Sequence, residues 1–198
     1  MNGQWLDKTE IPEDKSRYGA FSKLYDARQS EVNALYVSQS GLGLPDRDYY
    51  LEEGERYKAI RQQYQDYMTE LLVLAGQPEP EQVAMGIMAL ETRLAEVQWS
   101  RVERRDPIKA YNKMTVADVN QLMGDFDFSR YLRQAGVDID QVIVRQPGYF
   151  EKLSSIISGT DISTWKNYLT FHTLNSYASS LSEPFAQVRF DFCGRTLS

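Results

Sequence analysis

Apolar residues recur at helical spacing through most of the chain. Ile60, Tyr64, Tyr67, Met68, Leu71, Leu72 and Ala75 advance in steps of one, three and four, one stripe of an amphipathic helix. Gly76 stands where a C-terminal cap belongs. "QPEPEQ" interrupts the pattern, and Pro80 suits the first turn of a new helix because its missing N–H has no partner there. Val83, Ile87, Leu90, Leu94 and Val97 continue the stripe and predict a long helix to about Arg104. The short Pro-containing connection predicts an antiparallel pair. Pro107 pushes its predecessor out of helical geometry and ends the run.

Shorter elements follow. Thr115 with Asp118 reads as a capping-box start, and Phe128 to Ala135 as a short helix stopped by Gly136. Val142 to Val144 is a short β-rich run. Pro147 opens a helix through Ser158, and from Asp161 a longer one carries Trp165, Tyr168, Leu169, His172 and Leu181. "FAQVRFDFCGRTLS" continues as helix before failing at Gly194. Nearer the start, the alternating run Ala34 to Ser38 predicts a strand leading into "SGLGLPDRDYYL", with a long helix beginning near Glu52. The expected fold is mainly α, a multi-helix domain with one short β-strand or hairpin remnant, spanning residues 1–198 as one unit.

Composition narrows the function. Of 198 residues, 42% are hydrophobic and 25% charged, an ordinary globular balance. No apolar run approaches the roughly 20 residues of a membrane span. Met1 is followed by Asn-Gly-Gln-Trp, so no secretion leader is expected in this stretch. A net charge of −6 argues against nucleic acid as a partner. One cysteine, Cys193, excludes an internal disulfide framework. The single histidine, His172, cannot supply the two or three that catalytic zinc usually takes.

The remaining candidates are weighed by spacing. Gly41 and Gly43 give G-x-G, but Asp46 stands where the dinucleotide fingerprint needs its third glycine. Asp46 and Asp48 are too few for calcium, and turn and helix-start roles explain them better. His172, on an apolar stripe, reads as a packed, hydrogen-bonded residue. "NALY" at Asn33 to Tyr36 looks like a peptidase substrate motif but sits at the entry to a strand. Arg17 has the guanidinium chemistry to grip a carboxylate, although the residues alone favour a solvated or scaffold-paired arginine.

Four ordered blocks change that weighting. "NGQWLDKTEIPEDKSRYGAF", "QSGLGLPDRDYYL", "DPIKAYNKMTVADV" and "WKNYLTFHTLNSYASSLSEPFAQVRFDFCGRTLS" resemble the N-terminal portion of the neprilysin family of zinc metalloendopeptidases. The absence of a cysteine near Gly3-Gln4-Trp5 resembles bacterial-type members. The resemblance implies two mainly helical domains around a chamber that admits short peptides. In that family zinc-bound water, activated by a glutamate, attacks the peptide carbonyl. This chain resembles mostly the lid. Zinc would belong to the full-length parent and none to this chain, which alone is expected to be inactive.

The resemblance also assigns residues and partners. Arg17 would bind the substrate's C-terminal carboxylate and Phe21 would line the pocket. Cys193 departs from the family's usual tyrosine and inherits nothing. The implied partners are peptide substrates and the catalytic domain of the same parent, with no membrane contact from this segment and a periplasmic, cell-envelope or secreted setting. A helical stretch normally separates "RYGAF" from "DARQSEVNALYV", whereas here they almost touch. A discontinuity between residues 21 and 26 is therefore expected, with the first strand of the hairpin missing. The alternative is a stand-alone helical peptide-binding or oligomerisation module without catalysis.

Overall fold

The computed structural model describes residues 21–196. Helices dominate, as the periodicity predicts. Two compact units are interleaved along the chain. One comprises the segment ending at Gly41 together with Val97–Ser158; the other comprises Leu42–Glu96 and the chain from Gly159 onward.

The first unit is built on a sheet. Strand β1 (Phe21–Asp26) pairs antiparallel with β2 (Gln29–Val37). The strand expected to be missing is thus present: Phe21–Asp26 itself supplies it, turning through Ala27 and Arg28. Strand β3 (Asn112–Thr115) lies antiparallel to β4 (Gln141–Val144), and β4 runs parallel to β2, giving the order β1-β2-β4-β3. β3 is invisible to periodicity because "NKMT" has neither alternation nor an apolar run; its pairing with β4 holds it.

Alternation along β2 splits its side chains between two faces. Leu35 and Val37 join Val142 and Val144 in a core with Val119, Phe128, Leu132 and Phe150. Ala34, Tyr36 and Ile143 form a smaller cluster on the other side. The helices covering the larger core are α4 (Val116–Leu122), α5 (Phe128–Gln134) and α6 (Pro147–Ser158). α4 begins with a complete capping box: the Asp118 N–H donates to Thr115 Oγ1 and the Thr115 N–H to the Asp118 carboxylate.

The second unit is helical: a single turn α1 (Asp48–Leu51), then α2 (Glu55–Leu74), α3 (Pro80–Val97), α7 (Ile162–Tyr177) and α8 (Glu183–Phe190). The long helix α2 starts three residues after Glu52, because Gly54 breaks the run and α1 closes on its own. Arg61 reaches back from α2 to the carbonyls of Tyr49 and Glu52, both at 2.9 Å, and fixes that junction. α3 stops at Val97 rather than Arg104; the polar "QWSRVERR" that follows makes turns and a 3-10 segment, Glu103–Arg105. α8 runs into a π-helical stretch, Asp191–Thr196, passing Gly194 instead of failing there. That turn brings Phe192 onto the ring of Tyr67, 4.6 Å between centroids and nearly parallel, beside Tyr64 and Phe171.

Candidate functional site

Arg17 lies outside the described residues. Phe21 opens β1, but its side chain lies outside them too. The described polar architecture centres on two other places, one in each unit.

In the helical unit, "SGLGLPDRDYYL" is held by a carboxylate that the sequence conceals. Glu91 lies on the apolar stripe of α3, one step beyond Leu90, and is completely buried. Its four lone-pair sites are filled. Oε2 accepts from the Tyr50 hydroxyl at 2.6 Å and the Gly43 N–H at 3.3 Å. Oε1 accepts from the Tyr64 hydroxyl at 3.2 Å and from His172 Nε2 at 2.7 Å. A carboxylate only accepts, so Nε2 carries the proton. Tyr50 in turn accepts the N–H groups of Gly43 and Leu44, at 3.1 and 2.9 Å. A buried charge is tolerable when every lone pair is met in this way.

Burial, followed by the Glu91 charge, pushes the hydroxyls of Tyr50 and Tyr64 well above the usual tyrosine value. Both therefore stay protonated as donors. Gly43 is required by space: a Cβ built there would stand 1.8 Å from the Tyr64 oxygen. Gly41 has φ 98°, a left-handed conformation that favours glycine. Pro45-Asp46 is turn chemistry, with Asp46 accepting from the Asp48 N–H at 3.2 Å. His172 is a packed histidine, its ring 4.2 Å from that of Tyr168.

In the sheet unit, the chain's departure after β2 and its return after α3 are joined by amides. The Gln39 amide group donates to Gln98 and to the Trp99 carbonyl, and its oxygen accepts the Trp99 N–H at 2.8 Å. Buried Gln146 accepts the Gln39 N–H at 2.9 Å, and Tyr149 donates to the Ser40 carbonyl at 2.7 Å. Beside this network opens a cavity of about 310 Å³, lined by Gln39, Gln146 and four arginines, Arg101, Arg104, Arg105 and Arg145. Arg145 stacks over the Tyr36 ring at 5.0 Å. Further along the sheet, buried Asp26 accepts from the Arg28 N–H, the Tyr111 hydroxyl and the Lys113 ammonium at 2.9, 2.8 and 3.2 Å. Burial alone would raise the Asp26 carboxyl, but these three donors outweigh it and hold it below the usual aspartate value.

Neither place suits a catalytic metal. Among the described residues no group of three or more His, Cys, Asp or Glu side chains could hold a metal ion. The lone histidine is committed to Glu91.

Comparison with known proteins places the scaffold. Residues 25–198 match the model of peptidase family M13. The chain is similar to human endothelin-converting enzyme 1, 30% identical over 201 aligned residues, covering 93% of this chain and 26% of that protein. It is also similar to the crystal structure of Mycobacterium tuberculosis zinc metalloprotease Zmp1 in complex with an inhibitor. There the TM-score is 0.84 at 28% identity, over 91% of this chain and 28% of that one. PepO from Lactobacillus rhamnosis shares the fold at TM-score 0.72 and 18% identity. The chain spans about a quarter of the length of these relatives. With the family match covering nearly its whole length, the chain belongs to peptidase family M13, as a counterpart of the N-terminal portion of its neprilysin-like members.

Proposed function

We propose that this chain is the N-terminal, chamber-shaping portion of a neprilysin-like zinc metalloendopeptidase that hydrolyses short peptides. The observation that carries the reading is the match to family M13 across residues 25–198, on a scaffold similar to that of a zinc metalloprotease. Zinc and the residues that hold it would be carried elsewhere in the parent chain. No catalytic step is assigned to the described residues. In this reading Arg17 takes the substrate's C-terminal carboxylate through two parallel hydrogen bonds and Phe21 lines the adjoining pocket. The catalytic domain of the same parent is the chain's partner, and the setting is periplasmic, cell-envelope or secreted. The join between residues 21 and 26 is then a deletion relative to the family pattern, made just ahead of the hairpin turn.

The test compares this polypeptide with its full-length parent for zinc content and peptide hydrolysis. The parent is expected to bind one zinc and cleave short peptides, and the isolated chain to do neither. Hydrolysis by the isolated chain, or a parent without zinc or activity, would overturn the proposal. In the parent, Arg17→Ala should raise KM about tenfold or more for peptides with a free C-terminal carboxylate, the cost of one charge-assisted contact. C-terminally amidated peptides should be nearly unaffected.

A further inference from the structure

The arginine-lined cavity of the sheet unit has no part in the function proposed above. Its walls come from three places brought together by the fold. Arg101, Arg104 and Arg105 stand on the turns and 3-10 segment that follow α3, at spacings of three and four that turn them to a common side. Arg145 follows β4, where its backbone N–H donates to the Val37 carbonyl at 2.9 Å. Gln39 follows β2, its position set by Gln98, Trp99 and Gln146.

Two acids of the same turn accept local hydrogen bonds. Glu103 accepts from the Ser100 N–H and hydroxyl, both at 2.8 Å. Asp106 accepts the N–H groups of Ile108 and Lys109, at 3.0 and 3.1 Å. No carboxylate is among the described residues that line the cavity. Four guanidinium groups line one concavity of a chain whose net charge is −6. Like charges so gathered raise the local potential and draw anions. Arginine, unlike lysine, presents a planar fork matched to carboxylate and phosphate oxygens. The volume, about 310 Å³, falls at the small end of ligand sites.

We propose that this cavity binds a small, multiply charged oxyanion, a phosphate ester or a di- or tricarboxylate. Arg105 and Arg145 grip it, and Arg101 and Arg104 complete the wall of the cavity. The stacking of Arg145 on Tyr36 holds one fork in plane before the ligand arrives.

Isothermal titration of the whole chain with pyrophosphate and with citrate tests this directly. Saturable one-to-one binding that weakens as salt is added is expected for at least one of them. Tighter pyrophosphate binding would identify phosphate esters as the source of the oxyanion, and tighter citrate binding carboxylates. Arg105→Gln, on an exposed turn, should weaken binding about tenfold. Arg145→Lys keeps the charge and loses the fork, so a clear loss there separates a shaped site from diffuse attraction. Circular dichroism establishes that each variant is folded; if Arg145→Lys is not, Arg105→Gln carries the test alone. No saturable binding of either anion by the folded chain would overturn the proposal. Unchanged affinity in folded Arg105→Gln would do the same.

Discussion

Glu91 shows how a single side chain organises its surroundings. Its carboxylate receives four hydrogen bonds from three helices and a loop, so its loss leaves several buried donors unmet. Glu91→Gln keeps the shape but turns two acceptor sites into an NH2 donor facing other donors. A destabilisation of about 2–3 kcal/mol is expected, read as a lower urea midpoint at unchanged slope. Gly43→Ala should cost about 1–3 kcal/mol through overpacking, because the added methyl meets the Tyr64 oxygen. Gly54→Ala, with its nearest atom 3.5 Å away, serves as the tolerated control. Of this cluster the sequence marks only His172 as a packed, hydrogen-bonded residue, and Glu91 does not stand out. A glutamate at the stripe's spacing looks like any solvated residue until the partners that satisfy it, 41 and 81 positions away in Tyr50 and His172, are seen.

Elements differ in how far their own residues determine them. α4 needs little beyond its capping box and was readable in advance. α3 was readable in its stripe and not in its end, since helical spacing carried on formally past Val97 into residues that bury nothing. In α7, Tyr168 and Phe171 are buried, whereas Leu169 is 59% exposed although its spacing fits the stripe. The β1–β2 hairpin depends on a distant strand, because Asp26 beside its turn pairs with Lys113 on β3 and accepts from the Tyr111 hydroxyl just before it. The Asp26 carboxyl is depressed in the folded chain, so its contribution is complete above the ordinary aspartate value of 3.8 and is lost as pH falls through its lowered value. Amide exchange in the hairpin should therefore accelerate below pH 3.8 more than in α4–α6. Asp26→Asn should abolish that acid dependence.

For the molecule as a whole, the buried tyrosines set an alkaline limit. Tyr50 and Tyr64 are raised well above 10.0 by burial and then by Glu91. A raised folded value means stability that is full below pH 10.0 and lost as the medium becomes alkaline enough to ionise the unfolded chain's tyrosines. Unfolding followed by circular dichroism should set in above about pH 10.0, and the ultraviolet absorbance of the 13 tyrosines should reach its full ionised value only in that transition, after the exposed ones such as Tyr177 have ionised. Full tyrosine ionisation ahead of unfolding would show that the two buried hydroxyls are more accessible than their burial indicates.

The chain's local chemistry determined the helices with a regular apolar stripe, the cap at Thr115, the helix start at Pro80, and the family, because spacing, capping residues and motif blocks are properties of neighbouring residues. Tertiary structure decided what depends on partners far along the chain. It paired "NKMT" with β4, supplied a strand from Phe21–Asp26, buried Glu91 among tyrosines and gathered four arginines from two separate segments. "SGLGLPDRDYYL" belongs to both: its turn and glycines are legible as punctuation, but only the folded chain shows that Gly43 is small so that Tyr64 can reach Glu91. A buried charge or a close approach is satisfied by atoms that no local pattern can name.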